Sequence, residues 1–204
     1  MKKTNKFIYL ISPNKIRNNN FYSDLIAVFK SKKIFFFQLR LKKEDPKKII
    51  NIGKKIKKIC NKFKVKFIIN DNPFLAKKIN ADGCHIGQSD STVLAARKIL
   101  KNKIVGVTCH NSKKLIKKAM IDKVDYIALG AFYSTKTKKV KYRAKTKLIK
   151  EAKKITKIPI VAIGGINLNN YKKLLLIKAN FLAISSYVWN NKKYKPLEAI
   201  KKLK

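Results

Sequence analysis

Short apolar runs alternate eight times with longer basic, amphipathic stretches, and this alternation restricts the available folds more than any other feature of the chain. The runs at 7–11, 34–39, 66–69, 83–86, 104–108, 126–129, 160–163 and 181–184 are nearly continuous in β-branched, aromatic and aliphatic residues. Strands buried on both faces in a parallel sheet have this composition. Between them, apolar residues recur at helical spacing. Ile49, Ile52, Ile56 and Ile59 form the clearest stripe, and 94–100, 115–121, 148–155 and 171–177 repeat the pattern. Asp24, Asp45, Ser91, Asn111 and Asn167 stand near expected helix starts as candidate caps. Strict alternation predicts a parallel sheet, and eight units suffice to close it. The expected fold is α/β, one (β/α)8 TIM barrel over residues 1–204, with a doubly wound open sheet as the alternative.

A barrel of this kind gathers functional groups at the C-terminal ends of its strands. There the sequence turns polar: Gln38, Arg40 and Lys42 after the second run, Asn70 and Asp71 after the third, His85 and Asp90 around the fourth. Thr108 ends the fifth, Thr135, Thr137 and Lys138 follow the sixth, Gly164 and Gly165 the seventh, and Ile184 and Ser185 close the eighth. Asp71 and Asp90, past consecutive strands, suit Mg²⁺, which takes one or two carboxylates plus substrate phosphates. Arg40, Lys42 and Lys138 supply charge for phosphate oxygens. The backbone around Gly165, Ile184 and Ser185 lies where barrels commonly cradle a phosphate. No nucleophile–base triad, Walker loop or GxGxxG fingerprint occurs, so the pattern favours chemistry driven by stabilising a leaving group.

The formal net charge of +41 invites a nucleic-acid reading, because 51 Lys and Arg face only 10 Asp and Glu. Arginines, the residues of bidentate recognition, are confined to Arg17, Arg40, Arg97 and Arg143, and the lysines are spread evenly instead of forming an arm. Solvated helix faces account for that pattern, and no specific nucleic-acid partner is expected. The run at 7–11 is too short for a signal core, and nothing approaches the ~20 apolar residues of a membrane span. A cytoplasmic protein without a membrane partner is expected, with a homo-oligomer left open. Cys60, Cys84 and Cys109 lack metal or redox spacing and read as buried thiols.

Taken in order, Gln38-Leu39-Arg40-Leu41-Lys42, Ile69-Asn70-Asp71, the segment 83–90, the segment 130–138 and Val161-Ala162-Ile163-Gly164-Gly165-Ile166 resemble the thiamine phosphate synthase family over nearly the whole chain. The resemblance implies a transferase of thiamine biosynthesis, a (β/α)8 enzyme with small-molecule substrates. It would join a hydroxymethylpyrimidine diphosphate to a thiazole phosphate or its carboxylate and release pyrophosphate. By that resemblance Arg40, Lys42, Asn70 and Lys138 would bind the diphosphate, and Asp71 and Asp90 would hold Mg²⁺. Gln38 and His85 would lie at the pyrimidine, Thr108 near the reacting groups, and Thr135, Thr137, Gly165, Ile184 and Ser185 at the thiazole phosphate. Arg40, Lys42, Thr108 and Lys138 would be the catalytic set. The Lys-rich segment from Ser134 to Lys145 would close over the diphosphate. Leu41, Thr108-Cys109 and Ser134 depart from the usual pattern, without removing a phosphate or metal ligand. Alternatives are a thiazole tautomerase-like paralogue of the same fold, and an inactive basic barrel that binds polyanions.

Overall fold

The protein, seen in a computed structural model, is described over residues 6–16, 20–135 and 140–203. Strands β1 (Ile8–Ile11), β2 (Ile34–Leu39), β3 (Lys66–Asn70), β4 (Gly83–Ile86), β5 (Ile104–His110), β6 (Tyr126–Gly130), β7 (Ile160–Ile163) and β8 (Phe181–Ile184) pair in chain order. Every pairing is parallel, and β8 returns to β1 in the register Ile8↔Leu182 and Leu10↔Ile184. That last ladder closes the barrel and rules out the doubly wound sheet. Outside lie α1 (Asn20–Lys30), α2 (Pro46–Phe63), α3 (Pro73–Ile79), α4 (Val93–Leu100), α5 (Lys113–Ile121), α6 (Lys147–Ile155) and α7 (Tyr171–Leu176). After β8 the chain makes two short helices instead of one, α8 (Ser186–Trp189) and α9 (Pro196–Lys202). Among the described residues no helix is long and apolar enough to cross a membrane.

Local chemistry starts the helices, although not always where the sequence suggests. Asp45 caps α2, accepting from the N–H groups of Lys47 and Lys48 ahead of Pro46. Asn72, Thr92 and Ser112 cap α3, α4 and α5, each with its side-chain oxygen on the N–H three residues on. The expected caps Ser91 and Asn111 are thus each displaced by the next residue, whose oxygen has the correct reach. Asp24 lies inside α1, and Asn167 instead organises the turn before α7 by accepting from the N–H of Asn169.

Period-two alternation divides the strands between two cores. Leu10, Phe37, Phe67, Ile69, Cys84, Val105, Val107, Ile127 and Leu129 face the helices. Tyr9, Ile11, Phe36, Ile68, Tyr126, Ala128, Val161 and Ala183 fill the barrel. At the floor Phe36 lies 5.1 Å from Tyr9, 5.4 Å from Tyr126 and 5.2 Å from Phe181, ring centroid to centroid. This aromatic plug makes the interior a packed core up to its last layer. Gly106 on β5 provides the space for the Tyr126 ring, since a Cβ there would overlap it. All three cysteines are buried and free, and burial pushes each thiol pKa up, that of Cys109 to about 12.

Replacing Gly106 with Ala should lower unfolding free energy by about 1–3 kcal/mol through overpacking against Tyr126. Urea denaturation of the purified variant measures this.

Candidate active site

Moving up each strand from the aromatic floor, the next inward positions are Gln38 on β2, Asn70 on β3, His85 on β4 and Thr108 on β5. Four consecutive strands therefore line one side of the barrel mouth with hydrogen-bonding side chains. Ile11, Ala128, Ile163 and Ala183 on β1, β6, β7 and β8 leave the opposite side apolar. Gln38 and His85 are buried, whereas Asn70 and Thr108 are half-buried. His85 Nε2 lies 2.8 Å from Thr108 Oγ1 and its Nδ1 3.0 Å from Tyr126 Oη. Burial pushes the imidazole pKa down to about 4 against the opposing pull of Asp71, so the ring is neutral at pH 7.

Charge collects just above this layer. Asp71 leaves β3 in the left-handed region, φ 64°, a conformation that Asp tolerates better than most residues. Its N–H donates to the His85 carbonyl at 2.7 Å, which turns its side chain across the end of β4. There it meets Asp90, whose Oδ2 accepts from the Gly87 N–H at 3.0 Å. The two carboxylates face each other beside Gly87, which leaves room for them, since a Cβ there would press on Asp90 and meet Asp71. Desolvation and then the neighbouring Asp71 raise the Asp90 pKa above the carboxylate norm. Lys42 Nζ pairs with Asp71 at 2.9 Å. Arg40 donates to Asn14 Oδ1 at 3.2 Å, and although burial lowers its pKa, Asp71 and Asp90 draw it back up.

The other side of the rim is built from backbone. Phe132 N–H donates to the Ile163 carbonyl and Tyr133 N–H to that of Gly164, each at 3.1 Å, so the segment after β6 crosses the end of β7. Gly164 and Gly165, at φ 105° and 62°, allow this approach; side chains there would strike Ala131 and the Ser134 carbonyl. Gly165, half-buried Thr135 and Ser185 stand on this side. The Ile184 side chain points away into the outer core, so its backbone is what the rim offers. Thr137 and Lys138 lie outside the described residues, as does the stretch 136–139 of the segment expected to close over the diphosphate. Of the departures from pattern, Leu41 is buried in the outer core and Ser134 accepts from Arg143 at 3.3 Å.

Ser12 escaped the sequence reading, as did Asn14 and the two inward tyrosines. Ser12 is buried after β1; its Oγ accepts from the Arg40 N–H at 3.0 Å, and its carbonyl accepts from Ser185 Oγ at 3.1 Å. It ties the cation loop to the backbone cradle. Its position as the first polar residue after a strand was the available signal.

A profile of the thiamine monophosphate synthase family matches residues 8–188. The chain belongs to that family. Over 203 residues it is 71% identical to a thiamine-phosphate synthase of Pelagibacter ubique, covering 100% of this chain and 98% of that one. A thiamine-phosphate synthase of Rhodospirillum centenum is 35% identical over 185 residues, 90% of this chain and 89% of its own. Among solved structures, a thiamine phosphate pyrophosphorylase from Pyrococcus furiosus superposes with a TM-score of 0.86 at 22% identity, over 98% of this chain and 94% of that one. A tryptophan synthase α-subunit from the same organism reaches 0.73 at 12% identity over 98% and 96%, a likeness of fold alone.

Because Asp90 holds its proton more tightly folded than unfolded, its ionisation costs stability, and the cost grows as pH rises from its ordinary value of 3.8 through its raised one. In metal-free buffer, Asp90→Asn should raise the thermal midpoint at pH 7, while the Asn oxygen still accepts from Gly87. The gain should shrink toward zero near pH ~3. Calorimetry at both pH values checks the sign.

Proposed function

We propose that this member of the thiamine monophosphate synthase family joins a hydroxymethylpyrimidine diphosphate to a thiazole phosphate, or its carboxylate, giving thiamine phosphate and pyrophosphate. One observation carries the reading. The Asp71–Asp90 pair stands beside Arg40 and Lys42, directly above a neutral polar layer that can receive a heterocycle.

The two carboxylates fit Mg²⁺. Facing acids, one of them with its pKa raised by desolvation and by its neighbour, are a site short of positive charge. No third His, Cys, Asp or Glu joins them among the described residues, which leaves coordination for substrate oxygens and water, as Mg²⁺ prefers. Bound there, Mg²⁺ would neutralise charge on the diphosphate.

The chain's own residues do the rest. Arg40 and Lys42, with Lys138 and Asn70, hold the diphosphate and stabilise the charge it gains as the C–O bond to the pyrimidine methylene breaks. Gln38, His85 and Thr108 orient the pyrimidine so that the departing diphosphate and the incoming thiazole nitrogen share one axis. Thr135, Thr137 and the N–H groups around Gly165, Ile184 and Ser185 hold the thiazole phosphate. Nothing in the layer acts as a nucleophile: the thiols of Cys84 and Cys109 lie in the outer core with raised pKa values, and His85 is engaged on both nitrogens. A dissociative substitution, without a covalent enzyme intermediate, suits such a site.

Purified protein with both substrates and Mg²⁺ should yield thiamine phosphate by mass spectrometry, and no product from folded protein would overturn the reading. Asp71→Ala with Asp90→Ala should lower condensation by at least about a hundredfold. Retained association with duplex DNA should disappear by ~200 mM salt, as expected for non-specific charge attraction.

A further inference from the structure

Below the charged groups, four side chains from four strands form one hydrogen-bonded file. Tyr9 Oη lies 2.8 Å from Tyr126 Oη, Tyr126 Oη 3.0 Å from His85 Nδ1, and His85 Nε2 2.8 Å from Thr108 Oγ1. The His85 and Tyr126 rings are stacked, 5.6 Å apart and 14° from parallel, which fixes their relative orientation. The file has a closed end and an open one. Tyr9 is 2% exposed, inside the aromatic plug, and among the described residues its hydroxyl meets no polar group besides Tyr126. Thr108 is half-buried at the barrel mouth.

Counting protons gives the file a direction. Buried among hydroxyls, the imidazole is neutral and carries one N–H. The four groups then hold four protons for three links, so one proton is left over. If Thr108 donates to Nε2, then Nδ1–H donates to Tyr126 and Tyr126 to Tyr9. The surplus proton is stranded on Tyr9 in an apolar core, where an unsatisfied donor is costly. If Tyr9 donates to Tyr126, Tyr126 to Nδ1 and Nε2–H to Thr108, every buried group is satisfied, and the surplus proton sits on Thr108 at the mouth.

We propose that the file is polarised from Tyr9 toward Thr108, so that the Thr108 hydroxyl meets the substrate as a hydrogen-bond donor, with Tyr126 and His85 as the residues that position it. The polarity is a property of the protein alone; the identity of the acceptor, a lone pair on the pyrimidine diphosphate, rests on the function proposed above. A lone pair placed against Thr108 satisfies the surplus proton, which favours an unprotonated ring nitrogen or a diphosphate oxygen over an N–H.

The chain has two histidines, His85 and His110, so ¹⁵N NMR of histidine-labelled, substrate-free protein can read the tautomer directly, with His110→Gln for assignment. The expected pattern is a bare Nδ1 and a protonated Nε2 at His85; the reverse pattern overturns the proposal. Tyr9→Phe should keep that tautomer, because Tyr126 still donates to Nδ1. Tyr126→Phe should give a mixture, and an unchanged tautomer in that variant would remove Tyr126 from the role. For the donor itself, Thr108→Val should cut kcat/KM for condensation about ten- to a hundredfold, and Thr108→Ser should stay within about threefold of the parent. Wild-type activity in Thr108→Val would overturn the donor role. If the expected tautomer appears without condensation by any form of the protein, the file stands and the proposed reaction fails.

Discussion

The ladder between β1 and β8 is the constraint on which everything else depends. While a parallel sheet is open, inward and outward have no meaning for its strands. Once β8 pairs with β1, period-two alternation becomes a division between a barrel interior and a helix-facing shell. That division brings Gln38, Asn70, His85 and Thr108 from four strands into one layer, and it sends Cys84, Cys109 and Ile184 the other way. Below that layer the aromatic plug of Tyr9, Phe36, Tyr126 and Phe181 closes the barrel, so the mouth is a shallow chamber with a floor and not a pore.

The chamber separates two electrostatic tasks by height. Its lower layer is neutral: His85 is uncharged and bonded on both sides, and its partners are hydroxyls. Its upper rim holds the charge, with two acids in contact and two cations beside them. Such a rim is unfavourable to the empty protein, since the acids repel and Arg40 is partly desolvated. Functional sites commonly accept instability of this kind for the sake of the ligand. The large positive charge of the chain does not contradict it. Lysines on the helix faces are mostly solvated; of those in ion pairs, Lys48 with Glu44 and Lys118 with Asp122 act locally, while Lys57 with Asp82 and Lys113 with Glu151 link neighbouring elements.

Much of this was legible in the residue order. The strands fall within a residue or two of where apolar runs placed them; the largest extension is β5, which continues to His110. The rim residues after β2, β3, β4 and β5 were visible as polar interruptions at strand ends. Residues that act through others were not. Ser12 matters because β1 and β2 are neighbours and its oxygen reaches the Arg40 N–H, while Tyr9 and Tyr126 look like any other aromatic strand residues until the barrel brings their hydroxyls together. The caps show the same limit at short range: Thr92 and Ser112, not Ser91 and Asn111, have the backbone geometry that lets a side chain reach three residues ahead.

By itself the sequence determined the number and order of the strands, the helices that alternate with them, the single barrel, and the chemical inventory of the rim, because these depend on local periodicity and on residue type, although the last helix proved to be two short ones. Tertiary structure alone decided that Asp71 and Asp90 touch, that His85 is held neutral between a tyrosine and a threonine, and that Gly87, Gly106, Gly164 and Gly165 each leave space for a particular neighbour. Those facts depend on distances between residues far apart in the chain, which are fixed only when the eighth strand meets the first.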